Sequence, residues 1–234
     1  MPSIAITQQN AIPLDEINVI MLIDRSTSMR GNRIIQLNSA MPDVKRSLAE
    51  CAKQFNVNVK LRVIAFSGTP EWKIGAVEQG EAIENVVWQP LEVDYGTNTA
   101  DVIREATKSL HAKYMGAKAL RPVVILLTDG YTGSDMADYT AAIDEMKHCL
   151  GGNENRDKVT RVAIGVQDHN RAELEMFASK GTLNGVADQP LIFEVFDSDT
   201  IGDVINWVAV TSMKSSIGQK GDQKPEFTTD ADIL

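Results

Sequence analysis

The amino-acid sequence predicts an α/β protein built on a single doubly wound, mainly parallel sheet, with helices on both faces and one antiparallel edge strand. Short apolar segments rich in β-branched residues alternate with longer segments whose apolar residues recur every three or four positions. Most of the apolar segments lack polar alternation, which is typical of strands buried on both faces. Strands that alternate with helices in this way are joined by right-handed crossovers and form parallel sheets.

The predicted elements follow one another almost without interruption. The predicted strands span residues 17–23, 57–67, 71–77, 121–129, 158–166 and 190–196. The predicted helices span residues 33–55, 99–115, 134–150, 169–181 and 199–216. Between them, residues 79–96 show no periodic pattern, and residues 151–157 are predicted to form an exposed turn.

Local signals refine these elements. Segment 71–77 follows a Gly-Thr-Pro turn, which predicts that it pairs with the preceding strand as an edge hairpin. Pro42 interrupts the helical spacing of residues 33–55, which predicts a kink or a broken first turn. Gly181 is a good C-cap residue and is predicted to end the helix that starts near residue 169.

The periodic part of the chain is predicted to form one domain over residues 15–216. It follows an N-terminal extension at residues 1–14. Residues 217–234 have no hydrophobic periodicity, which predicts a disordered acidic tail. The sequence of 234 residues contains no internal repeat.

The composition argues against several classes of function. A net charge of -9 and a pI near 4.9 disfavour nucleic-acid binding, because neutralising phosphates requires clustered Lys and Arg. No segment approaches the roughly 18 apolar residues of a membrane span. The N-terminus lacks the basic start and apolar stretch of a signal peptide. Cys51 and Cys149 lie in unrelated contexts, so we expect a reduced, cytoplasmic protein.

Oxygen-bearing side chains lie at the ends of several predicted elements. Asp24, Ser26 and Ser28 follow the first strand in the pattern Asp-x-Ser-x-Ser. Thr97 precedes a predicted helix, and Asp129 stands where a buried strand ends in Thr-Asp-Gly. In open α/β sheets, ligands bind beyond the carboxyl ends of the strands, near the point where strand order reverses. We therefore expect these side chains to converge at one edge of the sheet.

The five side chains offer the oxygen ligands that Mg²⁺ prefers. Only two of them are carboxylates, so a bound ion would keep unneutralised charge and at least one open position for an acidic ligand from outside. This pattern favours metal-mediated adhesion over a closed structural site. Each segment alone also fits a simpler interpretation, namely a helix N-cap for the serines and a turn for Asp129-Gly130.

Taken together, Asp-x-Ser-x-Ser, Gly-Thr-x-Thr and Thr-Asp-Gly resemble the metal-ion-dependent adhesion site (MIDAS) of von Willebrand factor A domains. The motifs occur in the family's order, and the resemblance covers residues 15–216. Thr97 matches the family's ligand better than Thr99 does, because that ligand directly follows the glycine-containing turn. The implied metal ligands are Asp24, Ser26, Ser28, Thr97 and Asp129.

Segments 121–135 and 162–181 are similar in particular to the bacterial intracellular branch of the family. That branch comprises the TerY-like and YegL-like proteins associated with tellurite resistance and stress operons. The resemblance implies a cytoplasmic, non-enzymatic module that binds a protein partner through Mg²⁺, with Mn²⁺ or Ca²⁺ as alternative cations. An Asp or Glu side chain of the partner would complete the coordination shell.

The residues between the ligands depart from the family pattern. The intracellular relatives usually have a small residue, often glycine, between the two serines, whereas this chain has Thr27. Arg25 lies beside it, so the rim of the predicted site is bulkier and more basic. We predict that Arg25, Thr27, Tyr95 and Tyr131 contact the partner.

Two other functions remain open at the level of the sequence. The chain could be a regulatory adaptor for a kinase, a phosphatase or an AAA+ ATPase, with binding that does not depend on metal. A Mg²⁺-dependent phosphatase would also place an aspartate at position 24, but the general acid expected two residues later is Ser26 here. The sequence has no Gly-rich nucleotide loop and no apparent Ser-His-Asp set, so we expect no catalysis.

Overall fold

The computed structural model describes residues 14–129, 131–151, 158–167, 169–218 and 224–228. Its strands are β1 (Glu16–Asp24), β2 (Asn58–Phe66), β3 (Pro70–Ile74), β4 (Glu81–Ala82), β5 (Val123–Thr128), β6 (Thr160–Val166), β7 (Lys180–Leu183), β8 (Val186–Pro190), β9 (Ile192–Val195) and β10 (Glu226–Phe227). Its α-helices are α1 (Asn32–Phe55), α2 (Thr99–Ser109), α3 (Met136–His148), α4 (Arg171–Phe177) and α5 (Ile201–Gly218).

The main sheet has the strand order β3-β2-β1-β5-β6-β9, with β4 also paired to β2. The five strands β2, β1, β5, β6 and β9, in that order across the sheet, run parallel to one another. Strands β3 and β4 pair antiparallel with β2. These pairings confirm the predicted α/β fold with an antiparallel edge strand. From β1 the chain runs outward to β2 and β3, then crosses back to β5 on the other side of β1. The topological switch point therefore lies between β1 and β5.

Strand β1 is buried on both faces because it lies at the centre of the sheet. Val19, Met21 and Ile23 belong to the core beneath α1 and α5. Ile20 and Leu22 belong to the core on the opposite face, beneath α2 and α3. Residues Ile17–Ile23 are all fully buried, as the largely apolar sequence predicts, although Asn18 among them is polar.

Two predicted helix features differ from the structure. Helix α1 continues through Pro42, so the predicted broken turn does not occur, and many of the helix's side chains are buried. Helix α4 ends at Phe177 and not at Gly181, which lies in β7 instead. A Cβ atom at position 181 would lie 2.5 Å from the carbonyl oxygen of Pro225. The glycine therefore permits a close backbone approach and does not cap a helix.

A second, small sheet has the order β10-β7-β8 and was not predicted. Strands β7 and β8 form an antiparallel hairpin through Asn184 and Gly185, whose φ angles are 50° and 79°. Two successive positive φ angles are typical of a tight hairpin turn with an Asn-Gly sequence.

The prediction of a disordered tail over residues 217–234 is wrong for two of its segments. Helix α5 extends to Gly218, and Glu226–Phe227 pair in parallel with β7. The Phe227 side chain is fully buried, with its ring centroid 5.7 Å from that of Phe193 and 6.2 Å from that of Trp207. Burial of one large aromatic side chain supplies enough apolar contact to dock this short segment. Residues 219–223 and 229–234 of the tail lie outside the described residues, as do residues 1–13 and 152–157.

Within the described ranges, none of the helices has the length and apolar character needed to cross a membrane.

Replacing Phe227 with Ala should lower the free energy of unfolding by about 3 kcal/mol, because a buried aromatic side chain is lost. Phe196→Ala is the matched control, since Phe196 is 72% exposed and its loss should cost no more than about 0.5 kcal/mol. Chemical denaturation of both variants measures the difference. Equal losses of stability would contradict the docking of β10.

Candidate metal centre

The carboxylate of Asp24 is buried at the carboxyl end of β1. One of its oxygens, Oδ1, accepts the backbone N–H of Ser26 at 2.8 Å. The other oxygen, Oδ2, accepts the hydroxyl of Thr128 at 2.8 Å, across the switch point between β1 and β5. These two bonds fix the orientation of the carboxylate, and the Ser26 hydroxyl also bonds to it.

The two serines of the first loop lie side by side. The Oγ atoms of Ser26 and Ser28 are 2.8 Å apart. Ser26 precedes a short 3₁₀ helix (Thr27–Met29) whose buried Met29 anchors the loop to the core. Ser26 occupies the N-cap position of that helix, yet its side chain makes no capping hydrogen bond. The helix-cap interpretation of Asp-x-Ser-x-Ser therefore does not account for these hydroxyl groups.

Asp129 follows β5 directly and supplies a second carboxylate at the same edge of the sheet. It is 8% exposed, and its charge contributes to the shift in the pKa of Asp24. The pKa of Asp24 is raised to about 6, chiefly by burial and in small part by the charge of Asp129, while hydrogen bonds from Ser26 and Thr128 oppose the rise. Two neighbouring carboxylates that are largely removed from water favour a cation between or beside them.

Backbone hydrogen bonds join the three loops that contain the predicted ligands. The N–H of Asp94 donates to the carbonyl of Arg25 at 2.8 Å, which links the loop before α2 to the loop after β1. The N–H of Thr99 donates to the carbonyl of Thr132 at 3.0 Å, which links the same loop to the one after β5. The three loops therefore form one connected surface at the carboxyl edge of the sheet.

Thr97 lies in the loop before α2 and is partly buried. Among the described residues, its hydroxyl makes no hydrogen bond to the other predicted ligands. Asn98 caps α2 by accepting the N–H of Asp101 at 3.2 Å, as its sequence position suggests. Thr99 begins α2, and its buried hydroxyl has no hydrogen-bond partner in the described structure.

The chemistry of this donor set fits a hard divalent cation. It contains two carboxylates and hydroxyl groups at the topological switch point, and oxygen ligands suit Mg²⁺, Mn²⁺ and Ca²⁺. The described residues contain no cluster of three or more His, Cys, Asp or Glu side chains that would hold a metal on their own. The hydroxyl groups are therefore essential to the predicted site.

The four residues predicted to contact a partner divide into two groups. Thr27, Tyr95 and Tyr131 are exposed, with Tyr95 and Tyr131 at 77% and 65%. Arg25 instead folds back, and its guanidinium lies 3.0 Å from Glu71 and 3.3 Å from Asp94. The Arg25 side chain is only 13% exposed. Its guanidinium, which was predicted to contact the partner, is therefore already paired with Glu71 and Asp94.

One charged residue at the site was not predicted from the sequence. Arg33, in the first turn of α1, lies 3.7 Å from the Asp129 carboxylate through Nη1. The same atom donates to the carbonyl of Ser28 at 2.8 Å, and Nε donates to Gln167 at 2.8 Å. A lone arginine five residues beyond the second serine gives no sequence signal for this contact, which depends on how α1 lies against β5 and β6.

The sequence profile of the von Willebrand factor type A (VWA) domain matches residues 18–207, which is most of the chain. The chain belongs to the VWA family. Such domains are typically protein-interaction modules, are generally non-catalytic and often contain a MIDAS metal site. The chain has no significant match among curated protein sequences.

Solved structures of VWA proteins share this fold at low sequence identity. Proximal thread matrix protein 1 from the mussel byssus is 18% identical, with a TM-score of 0.55 over 85% of this chain and 46% of that one. A further structure of that protein, described with a zinc-occupied MIDAS motif, is 17% identical with a TM-score of 0.54, over 85% of this chain and 46% of that one. BatB from Bacteroides thetaiotaomicron is 16% identical with a TM-score of 0.51, over 86% of this chain and 100% of that one. This chain thus spans less than half the length of the mussel protein, and the likeness concerns the fold.

Gly133 determines how closely the loop after β5 approaches Thr97. Its φ is +61°, and a Cβ atom there would lie 1.9 Å from the carbonyl oxygen of Thr97. We expect Gly133→Ala to lower the free energy of unfolding by about 3 kcal/mol or more, because strain at positive φ adds to a backbone clash.

Gly185→Ala is the matched control for this prediction. Gly185 also has a positive φ, +79°, but a Cβ atom there meets nothing within 4 Å. Gly185→Ala should lower the free energy of unfolding by only about 1–2 kcal/mol, which is the cost of the positive φ. Urea denaturation measures the loss of stability in both variants. Similar losses would contradict the close approach of the loop after β5 to Thr97.

Proposed function

We propose that this chain is a divalent-cation-dependent protein-interaction module. The observation that supports this most directly is that Asp24, at the end of β1, bonds to both Ser26 and Thr128, the residue before Asp129, while the Oγ atoms of Ser26 and Ser28 lie 2.8 Å apart. The side chains that would hold Mg²⁺, with Mn²⁺ or Ca²⁺ as alternatives, are Asp24, Ser26, Ser28, Thr97 and Asp129. An Asp or Glu side chain of a partner protein would complete the shell.

The electrostatics of the site explain why an acidic partner would bind. A bound cation supplies an electrophilic centre, and the two protein carboxylates do not surround it. Asp24 is held in place by Ser26 and Thr128, so it would offer a fixed carboxylate to a cation. The zinc-occupied MIDAS of the mussel protein is a precedent for a metal at this kind of motif.

Exposed side chains beside the site would contact the partner around this central acid. Tyr95 and Tyr131 present large, mostly exposed rings, which supply contact area at low cost in conformational entropy. Thr27 lies between the two serines and is also exposed. Arg25 would act indirectly, by holding Glu71 and Asp94 in place.

The cellular setting of this function is proposed from sequence resemblance alone. The similarity of segments 121–135 and 162–181 to the TerY-like and YegL-like proteins supports a cytoplasmic role in a bacterial stress or tellurite-resistance system. No catalytic residue is proposed, and the phosphatase alternative lacks its general acid because that position is Ser26.

Arg33 favours a second candidate function, that of a regulatory adaptor whose binding to a kinase, phosphatase or AAA+ ATPase does not need metal. Its guanidinium already gives the Asp129 carboxylate a positive neighbour at 3.7 Å. If this pairing satisfied the site, partners would bind the exposed rim without a cation. The two functions differ in whether chelation abolishes partner binding.

Arg33→Gln should bind Mg²⁺ about fivefold more tightly than the unmodified chain, because a positive charge close to the ion is removed. Arg33→Lys retains the charge and should bind Mg²⁺ much as the unmodified chain does. Arg30→Gln removes an exposed charge near the same loop and controls for overall electrostatics. Isothermal titration calorimetry measures each affinity, and an unchanged or weaker affinity for Arg33→Gln would contradict the placement of the ion beside Asp129.

The proposed function is tested by capture of partners on the immobilised chain, with Mg²⁺ and with EDTA. We expect a specific partner to be retained in Mg²⁺ and released by EDTA, because its carboxylate binds through the ion. Asp129→Asn should lose that partner in Mg²⁺. Asp199→Asn, an exposed carboxylate on the same edge of the domain, should retain it.

Retention of the same partner in EDTA and by Asp129→Asn would refute the metal-dependent mechanism and favour the adaptor.

A further inference from the structure

A polar cavity of about 290 Å³ opens at the amino edge of the sheet, opposite the candidate metal centre. The distance along β1 from Glu16 to Asp24 is about 26 Å, from roughly 3.3 Å per residue. The cavity lies between the first residues of β1 and β2, the turn before β4, and the segment that follows α2. The residues of its lining that matter here are Glu16, Asn18, Lys60, Arg62, Glu78 and Lys113.

The cavity interrupts a strand face that is otherwise apolar. Successive side chains on a strand point to opposite faces, so Asn18 shares a face with Ile20, and Lys60 and Arg62 share one with Ile64. Ile20 and Ile64 belong to the core beneath α2 and α3. Towards the amino edge, Asn18, Lys60 and Arg62 therefore stand where apolar core residues would be expected. Apolar packing alone does not explain these three polar side chains.

Arg62 is only 1% exposed, yet no carboxylate pairs with it. Its Nη1 donates to Oδ1 of Asn18 at 2.6 Å, and its Nε donates to the carbonyl of Ala76 at 3.1 Å. Both acceptors are neutral. Among the described residues, Nη2 of Arg62 has no hydrogen-bond acceptor, and no Asp or Glu lies within 4.0 Å of the guanidinium.

Glu16 is the nearest source of compensating charge, but it is engaged elsewhere. One of its oxygens accepts the N–H of Gly116 and the side-chain amide of Asn18, each at 3.3 Å. Burial lowers the pKa of the Arg62 guanidinium, and the charge of Glu16 offsets only part of this effect. A buried cation without an ionic partner is costly unless an anion reaches it.

The rim of the cavity adds to the positive charge. Lys60 and Lys113 line it together with Arg62, against the carboxylates of Glu16 and Glu78. Glu78 is exposed to solvent and interacts weakly with a buried guanidinium. The lining therefore carries a net charge of +1. The Nη2 group of Arg62 is a donor in this lining that has no acceptor among the described residues.

We propose that this cavity binds the oxyanion group of a small molecule, a carboxylate or a phosphate, with Arg62 as the principal donor. Lys60 and Lys113 would contact the same group from the rim. Arginine suits this role because its planar array of N–H groups matches carboxylate and phosphate oxygens. A volume of about 290 Å³ accommodates a small molecule but not a folded protein segment. The site does not depend on the proposed metal-dependent function.

The proposal is tested by NMR titration of the isotopically labelled chain with inorganic phosphate and, separately, with acetate. Chloride at matched ionic strength serves as the reference. We expect saturable shifts of the Arg62 Nε–H resonance and of the Ala76 and Gly116 amides. The anion that saturates at the lower concentration identifies the preferred group.

Variants of the lysines at the rim test the proposal without replacing the buried Arg62, whose loss could disturb folding. Lys60→Gln combined with Lys113→Gln leaves Arg62 in place and should weaken binding by about tenfold. Lys108→Gln combined with Lys147→Gln changes the net charge equally away from the cavity and should bind as the unmodified chain does. Overturning results would be the absence of saturable shifts with both anions, or equal weakening in the two double variants.

Discussion

The buried carboxylate of Asp24 is the constraint on which the candidate site depends. A charged group at the end of a fully buried central strand is stable only where hydrogen bonds and nearby cations compensate for lost water. The Ser26 N–H and the Thr128 hydroxyl supply the hydrogen bonds, and they do so by joining the ends of β1 and β5. Asp129 adds a second negative charge at this edge, which Arg33 partly offsets and which a bound metal ion would offset further.

The topology of the sheet explains why charge collects at its two edges and not within it. The middle of each central strand is buried on both faces, and apolar side chains predominate there. At the carboxyl edge, the reversal of strand order separates the loops and leaves space for ligands. Towards the amino edge, β1 and β2 instead carry Asn18, Lys60 and Arg62, of which Arg62 lies at the middle of β2. The domain therefore presents an acidic, hydroxyl-rich site at one end and a basic cavity at the other.

Most of the main sheet was predictable, because alternating apolar and amphipathic segments determine a parallel α/β fold. The small sheet was not predicted, although Asn184-Gly185 is a strong hairpin signal, because residues 169–181 were interpreted as one helix. Phe227 follows a segment without periodicity, and a single buried aromatic residue leaves no sequence pattern. Asp-x-Ser-x-Ser and Thr-Asp-Gly identified two loops that the structure joins at Asp24. The contacts of Arg33 depend on long-range packing and could not be inferred from its neighbours.

Paramagnetic broadening by Mn²⁺ tests most directly whether the carboxyl edge of the sheet holds a divalent cation. Substoichiometric Mn²⁺ should broaden the amide resonances of Ser26, Ser28, Thr97 and Asp129 first, because each lies in a loop at that edge. Excess Mg²⁺ should restore them by competing for the same oxygen ligands, and Asp24→Asn should abolish the effect. Broadening that is centred elsewhere, or that Mg²⁺ does not reverse, would contradict the account.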